Sequence, residues 1–173
     1  MFETDRLILR PFIEEDLDWL IDILGDPATM AHYPQPFSER MCKDWIARSQ
    51  TLYKEGAGLY AIQLKASNAM IGDCGITYQM IDGERLPEIG YHIHRDHQGH
   101  GFATEAASFF RLNACSALQL PAVYSYMTAD NAASRRTAEK IGMTHHSSFY
   151  RDDVEHAVYR VHCIARTSME KRS

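Results

Sequence analysis

The sequence predicts an α+β fold, a single sheet domain with helices packed against it, and three observations predict it. Segments of two-residue and 3.6-residue hydrophobic period follow one another as strand, two helices, three strands, helix, strand, helix, two strands. No linker, internal repeat or low-complexity tract divides them. A length of 173 residues, 45% hydrophobic and 24% charged, suits one domain that buries a full core without staples. The domain is read as spanning residues 1–173, with a core of about 4–164 and a frayed tail over 165–173.

Taken in order, Arg6 to Phe12 reads as a strand, after which Leu17, Leu20, Ile21 and Leu24 recur at helical spacing until Gly25-Asp26-Pro27 stops them. The turn-rich run His32-Tyr33-Pro34-Gln35-Pro36-Phe37 leads to Ser38, an N-cap for a second helix ending near Gly56. Leu59–Leu64 and Met70–Gln79 form a hairpin turning at Ser67-Asn68, and Asp82-Gly83 marks the next turn. Leu86–His94 is the fourth predicted strand. The third helix carries Phe102, Ala106, Phe109, Phe110, Ala114 and Ala117 on one stripe and ends before Pro121. Ala122–Thr128 is a strand, Asn131–Gly142 a short helix, and Thr144–Tyr150 with His156–Ile164 a closing hairpin; Tyr124 and Tyr126 read as core residues, the alternative being a dimer contact.

The formal net charge of −5 argues against a nucleic-acid partner, which requires clustered Lys and Arg. Cys42, Cys74, Cys115 and Cys163 show neither a C-x-x-C pair nor a finger spacing and are read as reduced thiols of a cytoplasmic protein. The N-terminus lacks the basic-then-apolar form of a signal peptide, and no apolar run is long enough to span a bilayer, so no membrane partner is expected. The chain is expected to act as a monomer or homodimer.

The most informative stretch is His97-Gln98-Gly99-His100-Gly101-Phe102-Ala103-Thr104-Glu105-Ala106, two glycines between a strand and a long helix. The first turn of a helix presents N–H groups without internal partners, and with the positive end of the dipole these favour an anion. A triphosphate P-loop would need Lys and Ser or Thr after its last glycine, whereas Gly101 is followed by Phe102 and Ala103. A dinucleotide loop would need a third small residue where Thr104 stands and an acid about 20 residues later, earlier than Asp130. A third reading is the pyrophosphate of coenzyme A, and the plain alternative is that Gly99 and Gly101 only make a tight turn.

Here the chain resembles a known family. Gln98-x-x-Gly101-x-Ala103 matches the Gln/Arg-x-x-Gly-x-Gly/Ala motif of the GNAT superfamily of N-acetyltransferases, placed as there after the fourth strand and at the start of the third helix. Thr4 to Pro11, Glu88-Ile89-Gly90-Tyr91, Ala103-Thr104-Glu105-Ala106, Asn131-x-x-Ser134 and Glu139-Lys140-Ile141-Gly142-Met143 are similar to the ribosomal-protein N-terminal acetyltransferase branch, in the same order from Arg6 to about Val161. The resemblance implies a mixed, mostly antiparallel, twisted sheet flanked by helices on both faces, with acetyl-CoA as co-substrate. It implies acetyl transfer to a primary amine, the N-terminal α-amine of a protein or peptide, the alternatives being a small-molecule amine or a non-catalytic CoA sensor. It further implies that backbone groups of His92 and Ile93 hold the pantetheine and thioester region. The amides of Gln98, Gly99, His100, Gly101, Phe102, Ala103 and Thr104 would hold the pyrophosphate, and Asn131 the pantetheine arm.

The reaction needs a proton acceptor for the amine and a proton source for the departing thiolate. Glu88 is the leading acceptor; it shares strand parity with Gly90, His92 and His94, opposite to Ile89, Tyr91 and Ile93. Its alternative reading is a solvated residue beside Pro87 or the partner of a structural Arg. His92 and His94 are alternative bases, since an unperturbed imidazole titrates near about 6.5. The run His92, His94, His97, His100 lacks a completing Cys or Asp, so no metal is expected. Ser134 is the candidate proton donor, on a stripe with Ala138 and Ile141; Asn131 and Ser134 read equally well as a helix cap and its first turn. Many family members carry a Tyr general acid where this chain has Ala138, which leaves Ser134, water or another Tyr such as Tyr150. Met143 replaces the usual aromatic, a packing variation. The Tyr33–Phe37 segment either shapes the acceptor pocket or serves as a rigid interhelical connection.

Overall fold

The computed structural model of the chain describes residues 1–163. Eight strands form one sheet: β1 (Phe2–Glu3), β2 (Leu7–Arg10), β3 (Gly58–Leu64), β4 (Met70–Ile81), β5 (Glu84–Ile93), β6 (Ala122–Thr128), β7 (Thr144–Arg151) and β8 (Val154–His162). Four helices accompany them, α1 (Leu17–Leu24), α2 (Glu39–Leu52), α3 (Phe102–Ser116) and α4 (Ala132–Lys140). The strand order is β1-β2-β3-β4-β5-β6-β8-β7, antiparallel throughout except at β5–β6. The mixed, mostly antiparallel α+β sheet is therefore the one expected.

Strand parity sends alternate residues to opposite layers. Tyr60 and Ile62 of β3, Cys74 and Ile76 of β4, and Ile89 and Ile93 of β5 pack with Leu7, Leu9 and α3, which contributes Ala106, Ala107, Phe110 and Ala114. Leu59 and Ala61 point the other way, against Phe12, Leu20, Ile23 and Leu24 from the α1 side and Cys42 and Ile46 of α2. Each such fully buried aliphatic or aromatic side chain stabilises the fold by about 1.5–3 kcal/mol. Small residues at Ala106, Ala107 and Ala114 let α3 lie close to the sheet, so Ala107 takes the place on the buried stripe expected of Ala117, which lies past the helix end.

The turn at Asp82-Gly83 fixes the register of β4 and β5. Both residues have positive φ, 48° and 82°, the two-residue turn whose twist matches a hairpin. Counting back from Ile81↔Glu84 brings Thr77 opposite Glu88, Gly75 opposite Gly90, and Asp73 opposite His92. By contrast β5 and β6, running parallel, share the single bridge Glu88↔Tyr124. Past that point the C-terminal halves of the two strands have no ladder bonds to each other, and the sheet opens where the glycine loop leaves β5.

Three expectations need correction. The short β1 precedes the first predicted strand, pairing Phe2 with Leu9; two residues are too few to show a period. The second helix stops at Leu52, followed by a 3₁₀ turn over Tyr53–Glu55 that Gly56 closes at φ 75°. The four cysteines are not all thiols: Cys115 and Cys163 form a disulfide, with Cα atoms 5.1 Å apart, while Cys42 and Cys74 are free and buried. Pro121 is what brings the pair together, since its carbonyl accepts from the Cys163 amide and lays the end of β8 against the end of α3. Residue 164 of the closing hairpin and the tail over 165–173 lie outside the described residues. Among the described residues no helix is long and apolar enough to cross a membrane.

Candidate active site

The glycine loop has the geometry of an anion cradle. Arg95–His97 form a 3₁₀ turn, and Gly99 and Gly101 then take φ of 79° and 81°, a conformation that side-chain-bearing residues adopt only with strain. A Cβ at Gly99 would meet nothing within 4 Å, so in the free protein the glycine is needed for its backbone conformation, not for space. The Gln98 amide donates to the Arg95 carbonyl, and its side-chain amide donates to the Ile93 carbonyl at 2.9 Å, tying the loop to the end of β5. Gln98 thus braces the loop, and in this structure its own amide is engaged by Arg95. The amides of Gly99, His100, Gly101, Phe102, Ala103 and Thr104 have no hydrogen-bond acceptor among the described residues. They stand at the positive end of a 15-residue helix. This donor set fits a pyrophosphate.

Arg6 props the loop from β2's side. Its guanidinium donates to the His100 carbonyl at 3.0 Å, pairs with Glu105 at 2.7 Å and lies 4.4 Å over the Phe102 ring. Glu105 also accepts from the Thr4 hydroxyl and the Arg6 amide. Burial works against its charge, and these donors more than compensate, holding its carboxyl below the usual range. The Thr4-Asp5-Arg6 block therefore has a structural task at the loop, which the sequence reading did not assign.

The candidate acceptor side is built on the opposite parity. Glu88 and His92 each expose only 8% of their surface, on the face of β5 turned toward α1 and α2. Glu88 accepts from the Thr77 hydroxyl at 3.1 Å, and Thr77 in turn accepts from the Gln79 side chain. Gly75 and Gly90 face each other between the two polar pairs. A Cβ on Gly75 would fall 2.0 Å from the Gly58 carbonyl oxygen, and one on Gly90 would lie 3.2 Å from the nearer carboxylate oxygen of Glu88. The carboxylate is folded over the bare backbone of Gly90, toward His92. Burial pushes its pKa up to about 7, against Thr77, His92 and Arg48, which favour the charged form.

His92 is held from both ring nitrogens. Asp73, fully buried on β4, lies 2.7 Å from Nδ1, and the Tyr33 hydroxyl lies 2.6 Å from Nε2. The other Asp73 oxygen accepts from the Trp45 indole at 2.8 Å. Burial lowers the His92 pKa, yet the charge and hydrogen bond of Asp73, with the charge of Glu88, raise it overall. Tyr33, Phe37 and Trp45 gather around the imidazole, with neighbouring ring centroids 5.2–6.0 Å apart. The segment carrying Tyr33 is tied down at several points: Asp26 and Thr29 bind Arg95, His32 meets Asp130 and Thr128, and the Phe37 amide donates to the Leu24 carbonyl.

Ser134 and Asn131 lie on the other side of β5. The Asn131 side chain caps α4 by accepting from the Ser134 amide at 3.0 Å, and the Ser134 carbonyl accepts from the Tyr91 hydroxyl, whose parity is opposite to that of Glu88. Ala138 and Ile141 on the same stripe are buried. The structure therefore brings Glu88 and His92 together on one face, places Ser134 on the other, and puts the opening between β5 and β6 between them. Tyr150 is largely exposed, and His94 turns its Nδ1 to the Asp96 amide rather than to the acceptor side. Asp73, Trp45 and the Tyr33 hydroxyl went unassigned in the sequence. The signal was an Asp within the apolar run Met70-Ile71-Gly72-Asp73-Cys74, which the Asp82-Gly83 turn places opposite His92.

A sheet that opens between two parallel strands, with an anion cradle at the opening and buried titratable groups beside it, fits a coenzyme-A-dependent acyltransferase. The acetyltransferase (GNAT) domain family matches residues 6–144. The uncharacterized protein YkkB of Bacillus subtilis is 32% identical over 158 residues, covering 90% of this chain and 92% of its own. The crystal structure of the acetyltransferase from Agrobacterium tumefaciens superposes with a TM-score of 0.81 at 30% identity, over 93% of both chains. The ribosomal L7/L12 α-N-protein acetyltransferase RimL in complex with coenzyme A shares the fold, with a TM-score of 0.75 at 19% identity over 92% of this chain and 95% of its own. The chain belongs to the GNAT acetyltransferases, enzymes that use acetyl-CoA to acetylate amines.

Proposed function

We propose that this enzyme acetylates the N-terminal α-amine of a protein or peptide in the cytoplasm, with Glu88 as the first proton acceptor. The observation that carries this reading is the buried Glu88 carboxyl, poised near pH 7 over the bare backbone of Gly90. A base at that value is matched to an α-ammonium, whose pKa is about 7.7–8.0, and is more than three units short of a lysine-type ammonium at about 10.4. The amides from Gly99 to Thr104 hold the pyrophosphate of acetyl-CoA, and backbone groups at His92 and Ile93 receive the thioester end in the opening beside β6. Ser134 faces the sulfur from the α4 side as the proton source for the thiolate. Asn131 contributes by capping α4 and so fixing Ser134. RimL acts on an α-amine, which agrees with this reading.

A second reading, a small cationic amine, is favoured by the two buried carboxyl groups of Asp73 and Glu88 on the face that also carries the rings of Tyr33, Phe37 and Trp45 around His92. Thiol release from acetyl-CoA decides between them, measured with peptides bearing a free α-amine, the same peptides blocked at the α-amine with a free Lys, polyamines and aminoglycosides. Turnover confined to free α-amines supports the proposal. Turnover on polyamines or aminoglycosides alone replaces it with the second reading, and CoA binding by calorimetry without turnover would point to a sensor.

A further inference from the structure

We infer that Asp73, His92 and Tyr33 form a second proton acceptor for the substrate nitrogen, in which Tyr33 meets the amine, His92 takes the proton of Tyr33, and Asp73 is a positioning residue. The inference rests on the amine-acetylation reading above and adds to it, because the chemistry needs two acceptors. An ammonium that becomes an amide loses two protons from nitrogen: one before the lone pair can attack the thioester carbon, one as the N–C bond forms. The C–S bond then breaks with its electron pair on sulfur, which takes up one proton. The balance is an ammonium plus acetyl thioester giving an acetamide, a thiol and one proton released to solvent. Glu88 accounts for the first proton from nitrogen and leaves the second without an acceptor.

The geometry supplies one. An ionised Asp73 accepts only, so the imidazole presents Nδ1–H to it and leaves Nε2 as the acceptor for the Tyr33 hydroxyl. Trp45 occupies the other Asp73 oxygen, so the carboxylate cannot turn away. As a proton leaves nitrogen for the phenolic oxygen, the phenolic proton moves to Nε2, and the imidazolium that results faces the Asp73 charge. Tyr33 is 42% exposed as a residue, its ring forming part of the surface, while its hydroxyl is buried against His92, so in the relay the amine meets the phenolic oxygen within the covered site. Glu88, leaning over Gly90, approaches the same point from the other end of the strand face. The groups facing His92 are Asp73 from β4, Glu88 from β5, Tyr33 from the covering segment and the neutral Trp45 from α2, with Arg48 acting at longer range on Glu88.

The test compares Tyr33→Phe, Asp73→Asn, His92→Gln and the double variant Asp73→Asn/His92→Gln, with CoA binding by calorimetry as the check of folding. Tyr33→Phe, on an accessible ring, should lower kcat at least about tenfold with KM for acetyl-CoA unchanged. Asp73→Asn should lower kcat by a similar or larger factor. It should also move the acidic limb of the pH–rate profile to lower pH, because the charge that raises both His92 and Glu88 is gone, and NMR of the ring reads the His92 share of that shift separately. The double variant should be no slower than His92→Gln alone, since a residue acting only through His92 has nothing further to lose. Full turnover by Tyr33→Phe, an unmoved acidic limb in Asp73→Asn, or losses that multiply in the double variant would each overturn the relay. Nitrogen NMR of the His92 ring reads the arrangement without turnover and separates a failure of the relay from a wrong substrate class. Nδ1–H in the wild type with a lower titration midpoint in Asp73→Asn supports the relay; Nε2–H overturns it.

Discussion

Replacing Glu88 by glutamine should stabilise the protein at alkaline pH while removing its activity. The folded carboxyl titrates near 7 because burial penalises its charge, and an ordinary Glu titrates at 4.5. Between those values the native state holds a proton that the unfolded chain releases, so stability is full below about pH 4.5 and falls as pH rises through 7. The whole difference is worth at most about 3 kcal/mol. The glutamine amide in Glu88→Gln would keep an oxygen for the Thr77 hydroxyl and carry no charge, so the variant escapes this loss. His92, whose raised pKa also makes stability fall with rising pH, keeps its Asp73 partner in both proteins, so only the smaller part of its shift that Glu88 causes differs between them. Thermal unfolding followed by circular dichroism should therefore show similar Tm values at about pH 4.5. At about pH 8.5 the variant should be higher by several degrees, on the scale of about 2–4 °C per kcal/mol for a chain of this length. Wild-type kcat/KM should rise with pH through a midpoint near 7, and kcat of the variant should fall by about 10²-fold or more. An equal Tm difference at both pH values, or wild-type turnover by the variant, would refute the assignment of Glu88 as a buried base.

Three further outcomes follow from the same geometry. Gly101→Asp places a side chain at φ 81° and a negative charge among the loop amides, its Cβ 3.6 Å from the Arg6 guanidinium, and calorimetry should find acetyl-CoA binding abolished. Ser134→Ala leaves the cap intact, since Asn131 bonds the Ser134 amide and not its hydroxyl; steady-state kinetics should show kcat lowered with KM for acetyl-CoA nearly unchanged, and equal turnover removes Ser134 from the mechanism. Thiol titration of the unfolded, unreduced protein should count two groups, Cys42 and Cys74; reducing the Cys115–Cys163 bridge, which spans 48 residues, should lower stability by about 3–4 kcal/mol in denaturant melts.

Most of the fold was legible because its periods are clean. Leu17–Leu24 and Ala122–Thr128 are bounded as the sequence predicts, and Ser38 caps α2 by accepting from the Met41 amide. What failed is what periodicity cannot carry: a two-residue strand, and a disulfide between cysteines whose Cα atoms only the folded sheet brings within 5.1 Å. In the site, the glycine loop was legible because positive-φ glycines before a helix have few other uses. The bracing bond of the Gln98 side chain was not legible, because a motif gives a residue's place but not which of its groups is already engaged. Asp73 was missed because its role depends on register. An Asp in a strand is ordinary until the hairpin places it opposite a histidine.

The two faces of β5 explain why a single strand can serve both halves of the reaction. Residues of even number, Glu88 and His92, look toward α1 and α2, where the proposed proton acceptors lie; Tyr91, of odd number, binds the Ser134 carbonyl of α4, the side proposed for the departing sulfur. Had β5 and β6 formed a full ladder, the backbone between those faces would be closed and the two sides could not act on one carbonyl. The single bridge at Glu88↔Tyr124 keeps the strands in one sheet while leaving their ends apart. The segment from Asp26 to Phe37 then spans that end, held at Arg95 beside the anion loop and at Asp130 beside α4, and carries Tyr33 onto His92. Opening the strands creates room for the thioester, and the same opening is what obliges the chain to tie a covering segment to both of its lips.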